Sequence, residues 1–434
     1  MLAIKGEKMN DTGKRCLQWC GLLVFVLTLL LGCSSTKEKL KENKIKNDET
    51  FIWNPKVNSK NKAKFEKSFI TCPATGDKVV TDILKHIRQK YKLPAVAAAL
   101  VNNNGIVAVG AVGVRKEETD IPVTLNDKWF IGSCTKAMTA TITAKLVEEG
   151  KLSWNTSIKD IFNKEPSNFN PEFNNITITE LLSQHSGLQR DLYKSPFSWL
   201  KWKNMGTLTE QRLEVFDKFS TKKILYKPGT KWNYSNVGYI IAAAILEKVS
   251  GKSFEQLMKQ MIFKPLHMES AGFERTEFPE KTDHLWSHYY TGKPTRLELP
   301  SVMNPDGGVY CNIYDWSKFI TEQLRGAEGK KGLLKPSSYK KIQTPPYGGN
   351  GALGWILKNG ALWHTGTNSV NFAEVYMYPE KNYAVLFCTN IGFDLKNAPD
   401  NDDDIPVQKA GNIVCKKLGQ YYLNSLKKKK EKAN

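Results

Sequence analysis

Ser133 and Lys136 stand three residues apart, which on a helix is one turn along the same face, so a hydroxyl and an amine can meet there. A serine hydroxyl is a weak nucleophile until a base takes its proton. A lysine amine shielded from water can lose its charge and act as that base. A serine at a helix start also has its own N–H unpaired, and that N–H can hold an oxyanion. The spacing by itself is cheap in a lysine-rich chain. The same Ser-x-x-Lys pattern starts at Ser34, Ser59, Ser198, Ser220, Ser337, Ser338 and Ser425. Only Ser133 follows an apolar lead-in, Trp129-Phe130-Ile131-Gly132, and opens an amphipathic helix, expected over 133–150. Met138, Ile142 and Leu146 recur in it at four-residue steps, and Gly150 suits its stop.

Two further groups could serve the same chemistry. In Tyr234-Ser235-Asn236 a phenol can relay a proton, and a carboxamide can bind a substrate carbonyl and a lysine together. Tyr-x-Asn also occurs at Tyr310 and Tyr422, and Tyr234 read alone is a core tyrosine. His364-Thr365-Gly366 ends an expected strand, where a glycine lets a substrate backbone approach closely. Read alone, His364 is a structural histidine at a strand end, and His185-Ser186-Gly187 is a similar triplet in a loop.

The elements that must position these groups follow from periodicity. Val80–Tyr91 reads as a helix with Val80, Ile83, Leu84 and Ile87 on one face. Val96–Val101 and Ile106–Val109 read as a hairpin joined at Asn102–Gly105. Tyr239–Val249 is an alanine-rich helix closed by Gly251. Gly354–Leu357, Ala361–Thr365, Phe372–Tyr378 and Tyr383–Thr389 are short strands, the last two joined by the turn Pro379–Asn382. A final helix is expected over about 407–426. The acids of 400–404 just before it suit a helix dipole better than a calcium site. This order predicts one α/β (α+β) unit, its sheet completed by both ends of the chain around a mostly helical insertion.

Taken in order, Ser-x-x-Lys, Tyr-x-Asn and His-Thr-Gly on helix start, loop and strand resemble the serine β-lactamase and penicillin-binding-protein superfamily. The class C β-lactamase-related branch, which includes D,D-peptidases and esterases, is the nearer likeness. Residues 178–188, residues 226–239, Pro265-Leu266-His267-Met268 and Asp306-Gly307-Gly308 are similar to that branch in the same order, and the likeness spans roughly residues 75–420. It implies a β-lactamase/transpeptidase-like fold, an antiparallel sheet flanked by helices. It implies that Ser133 attacks a carbonyl to give an acyl-enzyme, that Lys136 and Tyr234 share proton transfer, and that Asn236 orients the substrate. The backbone N–H groups of Ser133 and Thr367 would form the oxyanion hole, with His364, Thr365 and Gly366 on the strand beside the substrate. Two departures bear on specificity. Drug-hydrolysing relatives usually carry lysine where this chain has His364, and histidine is only partly charged near neutral pH. After His-Thr-Gly this chain has Thr367–Phe372, where a turn with glycine and proline is common, and the bulkier residues could narrow the strand edge.

The N-terminus carries an address. Lys14 and Arg15 precede the apolar run Leu22–Leu31, too short to span a bilayer and of the right length for a signal peptide. Leu30-Leu31-Gly32-Cys33 resembles a bacterial lipobox, which implies diacylglycerol on the Cys33 thiol and cleavage before it. Ser34 resembles an outer-membrane sorting residue, if the cell has two membranes. The expected organisation is a leader over 1–32, a lysine-rich tether over 33–72, a hydrolase domain over 73–420 and a basic tail over 421–434. Net charge is +20, partly concentrated in tether and tail, which suits a membrane or wall surface rather than nucleic acid. Of eight cysteines, Cys16 and Cys20 leave with the leader and Cys33 carries lipid. Cys72, Cys134, Cys311, Cys388 and Cys415 remain, an odd number without metal-ligand spacing. Cys134, beside Ser133, is expected to be buried. No cofactor or metal is expected. The partners are a substrate with a carbonyl (a peptidoglycan peptide, an ester or a β-lactam) and a membrane reached through Cys33. A catalytically weak sensor of wall fragments on the same fold is the alternative, and a surface-adhesive lipoprotein ranks third.

Overall fold

Val96, Ala98 and Leu100 point to one side of their strand and Ala97, Ala99 and Val101 to the other, and all six are fully buried. A strand apolar on both faces must be covered on both, and the fold follows from that. The computed structural model describes residues 74–162, 170–192, 202, 205–273, 285–394 and 402–433. The leader, Cys33, the 33–72 tether and Cys72 lie outside the described residues.

One seven-stranded sheet runs through the middle. Its strands are β1 (Ala74–Gly76), β2 (Ala95–Asn102), β3 (Gly105–Gly113), β4 (Ile356–Lys358), β5 (Ala361–Thr367), β6 (Phe372–Tyr378) and β7 (Tyr383–Thr389). Their order is β1-β3-β2-β7-β6-β5-β4, every neighbouring pair antiparallel. The N-terminal hairpin therefore meets the C-terminal meander at β2 and β7, with Ala97 opposite Cys388 and Ala99 opposite Leu386. The expected closure of the sheet by both chain ends is what the structure has.

Helices α1 (Lys78–Tyr91) and α5 (Pro406–Ala433) cover one face through Val80, Leu84, Ile87, Val407, Val414 and Leu418. The other face carries the insertion, with α2 (Thr135–Glu148), α3 (Asn236–Ser250) and α4 (Ile313–Ala327) packed into a second core. Four elements differ in detail from the expectation. β5 runs on to Thr367, so Gly366 and Thr367 belong to the strand. The first meander strand begins at Ile356 rather than Gly354. α5 continues through the lysines of 427–430, with no break at residue 420, and the Tyr422 hydroxyl donates to Asn382 O at 3.0 Å. The acids before α5 pair with lysines, Asp403 with Lys358 at 2.7 Å and Asp404 with Lys409 at 3.1 Å.

The helix α2 also differs from the expectation, since it is not amphipathic. Every residue from Thr135 to Ala144 is buried, so α2 is the central helix of the insertion. Its threonines tolerate this because their hydroxyls bond locally, Thr141 to Ala137 O at 2.8 Å and Thr143 to Thr139 O at 2.9 Å. Cys134, Cys311, Cys388 and Cys415 are buried free thiols.

Candidate active site

The chain enters the site through a tight turn. Gly132–Cys134 form a single 3-10 turn and the α-helix proper begins at Thr135, two residues after Ser133. Gly132 has φ of 51°, in the left-handed region that favours glycine. A Cβ there would lie 2.6 Å from Thr367 N, and one at Gly366 would lie 2.0 Å from Ile131 O and 2.7 Å from Ser133 N. The two glycines thus let the turn that carries Ser133 pack directly against the end of β5, next to Thr367. Ile131 N donates to Val309 O at 3.0 Å and anchors the turn from the other side.

Lys136 lies one turn into the helical segment and is wholly buried. Its Nζ is 2.9 Å from Ser133 Oγ, 2.8 Å from Asn236 Oδ1 and 2.7 Å from Asp306 O. The Asp306 carboxylate is also near, with Oδ2 at 3.8 Å. Asn236 is held from behind, its Nδ2 donating to Asp191 Oδ1 at 2.6 Å. The residue between Tyr234 and Asn236 sets their directions. Ser235 is the N-cap of α3, its hydroxyl accepting from Gly238 N at 3.0 Å, and its own N–H donates to Gln184 Oε1 at 2.7 Å.

Tyr234 is half-buried, not a core residue. Its ring centroid is 5.0 Å from Lys136 Nζ, 4.9 Å from the Arg190 guanidinium and 6.2 Å from the His364 ring. Exposed Trp232 lies 6.2 Å further along the same rim. Ser133, Lys136, Tyr234, Asn236 and His364 are therefore brought together as the motifs imply.

His364 is the residue whose character changes most. It is buried, and its Nδ1 donates to Thr365 O at 2.6 Å, which leaves Nε2 without a proton. Burial first, and the neighbouring Lys136 second, push its pKa down to about 3. The expected partial charge is thus absent, and the imidazole is neutral throughout the physiological range. The bulk after His-Thr-Gly packs into the fold: Asn371 Nδ2 donates to Ser287 Oγ at 2.7 Å, and Val370 is fully buried. His185 is tied to its own loop, Nδ1 lying 2.9 Å from Ser183 O, and stacks near Tyr347.

Two acids of the site, Asp191 and Asp306, went unmarked among the chemical residues of the sequence. Asp306 was visible only as part of Asp306-Gly307-Gly308, where position rather than carboxylate drew attention. Burial pushes its carboxyl up to about 7, against the opposing pull of Lys136. Asp191 has no spacing signal at all. Among the described residues no group of three or more His, Cys, Asp or Glu side chains could hold a metal.

A helix-flanked antiparallel sheet, with a Ser-x-x-Lys turn lodged between the end of β5 and a helical insertion, defines the serine β-lactamase and penicillin-binding-protein fold. The family model described as Beta-lactamase matches residues 80–408, and the chain belongs to that family. Among curated proteins it is similar to Protein flp of Staphylococcus aureus (strain NCTC 8325 / PS 47), 24% identical over 351 residues covering 79% of this chain and 69% of that protein. It is also similar to Unguisins hydrolase ungD' of Aspergillus campestris, 23% identical over 72% of this chain and 61% of that protein. Among solved structures it resembles the octameric penicillin-binding protein homologue from Pyrococcus abyssi, with TM-score 0.61 and 25% identity over 72% of this chain and 73% of that one. The D-alanine carboxypeptidase AmpC from Burkholderia cenocepacia shares the fold, with TM-score 0.61 and 18% identity over 77% of this chain and 97% of that one.

Proposed function

We propose that the protein is a serine hydrolase that cleaves an amide or ester through an acyl-enzyme on Ser133. The observation that carries this reading is the 2.9 Å contact between the buried Lys136 Nζ and the partly exposed Ser133 Oγ. Lys136 takes the hydroxyl proton as Oγ bonds to the substrate carbonyl carbon. The Ser133 and Thr367 N–H groups receive the oxyanion. Tyr234 relays that proton from Lys136 to the leaving group. Water then attacks the acyl carbon, and Ser133 Oγ leaves with one of the water's protons, restoring the enzyme. Asn236 and the Thr365-Gly366-Thr367 edge of β5 hold the substrate. One relative is named a hydrolase and one structural neighbour a D-alanine carboxypeptidase, which supports a carbonyl substrate of peptide or ester type.

Neutral His364 favours a peptidase or esterase over a drug-hydrolysing β-lactamase, because it offers no fixed positive charge to a β-lactam carboxylate. We further propose that the chain is exported and held to a membrane by lipid on Cys33, the outer membrane where there are two, with 33–72 as the tether to a hydrolase domain.

The test is incubation of the domain with a fluorescent penicillin, a chromogenic cephalosporin and a p-nitrophenyl ester, beside Ser133→Ala. Ser133-dependent turnover of the ester, with slow or no cephalosporin turnover, is expected. Stable penicillin labelling without turnover of any substrate would instead identify a wall-fragment sensor. Equal behaviour of wild type and Ser133→Ala in all three assays would sink the catalytic reading. For the anchor, Cys33→Ala should move the protein from the membrane fraction to the soluble one, and unchanged fractionation would refute it.

A further inference from the structure

Asp306 sits where a structural aspartate has little to do. Elsewhere in this chain buried aspartates accept hydrogen bonds from N–H or O–H groups, as Asp315 Oδ2 does from Ser270 N at 2.7 Å and Ser270 Oγ at 2.6 Å. The Asp306 side chain is 2% exposed, and its Oδ1 has no hydrogen-bond partner among the described residues. A buried, unbonded carboxylate oxygen is costly, so the group calls for another reason to be there. Its one close ionic neighbour among the described residues is Lys136 Nζ, 3.8 Å from Oδ2.

The hydrogen bonds around Lys136 say when that neighbour matters. A neutral amine has two N–H groups and one lone pair. Asp306 O can only accept. Asn236 Oδ1 is fixed as an acceptor because its own Nδ2 donates to Asp191. As an ammonium, Lys136 donates to all three oxygens, Ser133 Oγ included. In the neutral form its two N–H groups go to the two fixed acceptors, and the lone pair is left for the Ser133 hydroxyl. When Ser133 Oγ forms its bond to a carbonyl carbon, the hydroxyl proton moves onto that lone pair. The leaving group takes a proton as it departs, so the balance is kept. Between the two events a full positive charge stands on a wholly buried side chain. At such a place a carboxylate about 4 Å away is worth far more than in solvent.

We propose that Asp306 is a positioning residue whose carboxylate is the counter-ion for the ammonium form of Lys136, and that it sets the pH range in which Ser133 is nucleophilic. The proposal rests on the reading of Ser133 and Lys136 as nucleophile and base. The surrounding groups leave the role to Asp306. Asp191 reaches Lys136 only through the Asn236 amide. His364 on β5 is neutral. On α3 the Tyr239 hydroxyl is committed to Leu182 O at 2.6 Å, and Tyr234 presents its ring face to Nζ. Glu255, next to the short helix Asn304–Gly307 that carries Asp306, is held by Arg212 and by Asn304 Nδ2. Burial and the charge of Asp191 both push the Asp306 carboxyl up, which places its ionisation near neutral pH.

The experiment is the burst of p-nitrophenol released from p-nitrophenyl acetate, followed from about pH 5 to 9, for wild type, Asp306→Asn, Asp306→Ala and Ser133→Ala. Without the carboxylate the ammonium gives up its proton more readily. The acid limb of the burst rate should then move to lower pH by about one unit or more, while the plateau falls about tenfold because the base is weaker. Asp306→Ala removes the charge by a different shape change and should move the limb the same way. A lowered plateau with the acid limb unmoved in the folded variants makes Asp306 merely structural and overturns the proposal. A burst that survives Ser133→Ala unchanged overturns the nucleophile reading as well, so the two failures look different. Thermal unfolding gives a second readout. A buried carboxyl whose pKa is raised from 3.8 to about 7 contributes stability below pH 4 that is lost as pH rises to 7. Asp306→Asn should gain stability relative to wild type across that window, and a difference that does not change with pH would count against the proposal.

Discussion

No side chain fits between Gly366 and Ile131: a Cβ at position 366 would lie 2.0 Å from the Ile131 carbonyl oxygen and 2.7 Å from Ser133 N. The contact is between two backbones, so neither can yield by turning a rotamer. It holds the Ser133 turn against the end of β5 beside Thr367, where the proposed oxyanion hole would lie.

Gly366→Ala should therefore force β5 away from the turn. Displacing one oxyanion donor costs about 10²–10³ in turnover, and overpacking of this kind costs about 1–3 kcal/mol of stability. Ester turnover and thermal unfolding measured on one preparation separate the two effects. Gly272→Ala, where an added Cβ meets nothing within 4 Å, is the control and should change neither. Turnover retained in Gly366→Ala would mean the contact does not set the hole.

Asp191 holds the Asn236 amide in one orientation, with Nδ2 toward its carboxylate and Oδ1 toward Lys136. Asp191→Ala should let the amide turn and present Nδ2 to Lys136, a donor against a donor, and lower kcat for the ester about tenfold with a smaller effect on KM. Asp191→Asn keeps an acceptor oxygen at the same place and should restore most of the loss. If Asn and Ala variants are equally impaired, the negative charge rather than the amide orientation is what matters.

How far the sequence carried this site differs from residue to residue. Ser133 and Lys136 were legible because an apolar lead-in and a helix start singled out one Ser-x-x-Lys spacing from the seven others, and all of these are local features of the chain. Tyr234 and Asn236 were legible as a pair because Ser235 between them caps a helix, again a local event. Asp306 was not, since it reaches Lys136 across 170 residues through the packing of a short helix against α2, and no periodicity records that. Completion of the sheet by both chain ends was legible from the arrangement of helices and strands. The pairing of β2 with β7 and the short edge strand β1 were not, because strands far apart in the chain leave no local trace of which neighbour they take. Full burial of α2 was not legible. Met138, Ile142 and Leu146 form an apolar stripe, while the threonines between them look like a solvent face. Only the structure shows their hydroxyls bonded back to the helix.

His364 yields a prediction about pH that its residue type alone would give the wrong way round. A histidine with its usual pKa of about 6.5 changes charge near neutrality and would put a limb on the activity profile there. Buried, and facing Lys136, it stays neutral down to about pH 3. Between 6.5 and 3 the unfolded chain holds a proton that the folded chain does not. Stability from this group is therefore fully present above pH 6.5 and is lost as pH falls toward 3. His364→Gln removes the titrating ring but keeps an amide of similar reach. It should be more stable than wild type at pH 4 relative to pH 7, by a difference on the order of 3 kcal/mol in denaturant unfolding. Its activity profile should keep the same acid limb as wild type, because that limb is assigned above to the Asp306 counter-ion and not to the imidazole. A limb that disappears in His364→Gln would mean that the imidazole itself takes up the proton during the reaction, and that the neutral, strand-bound histidine described above is not its working state.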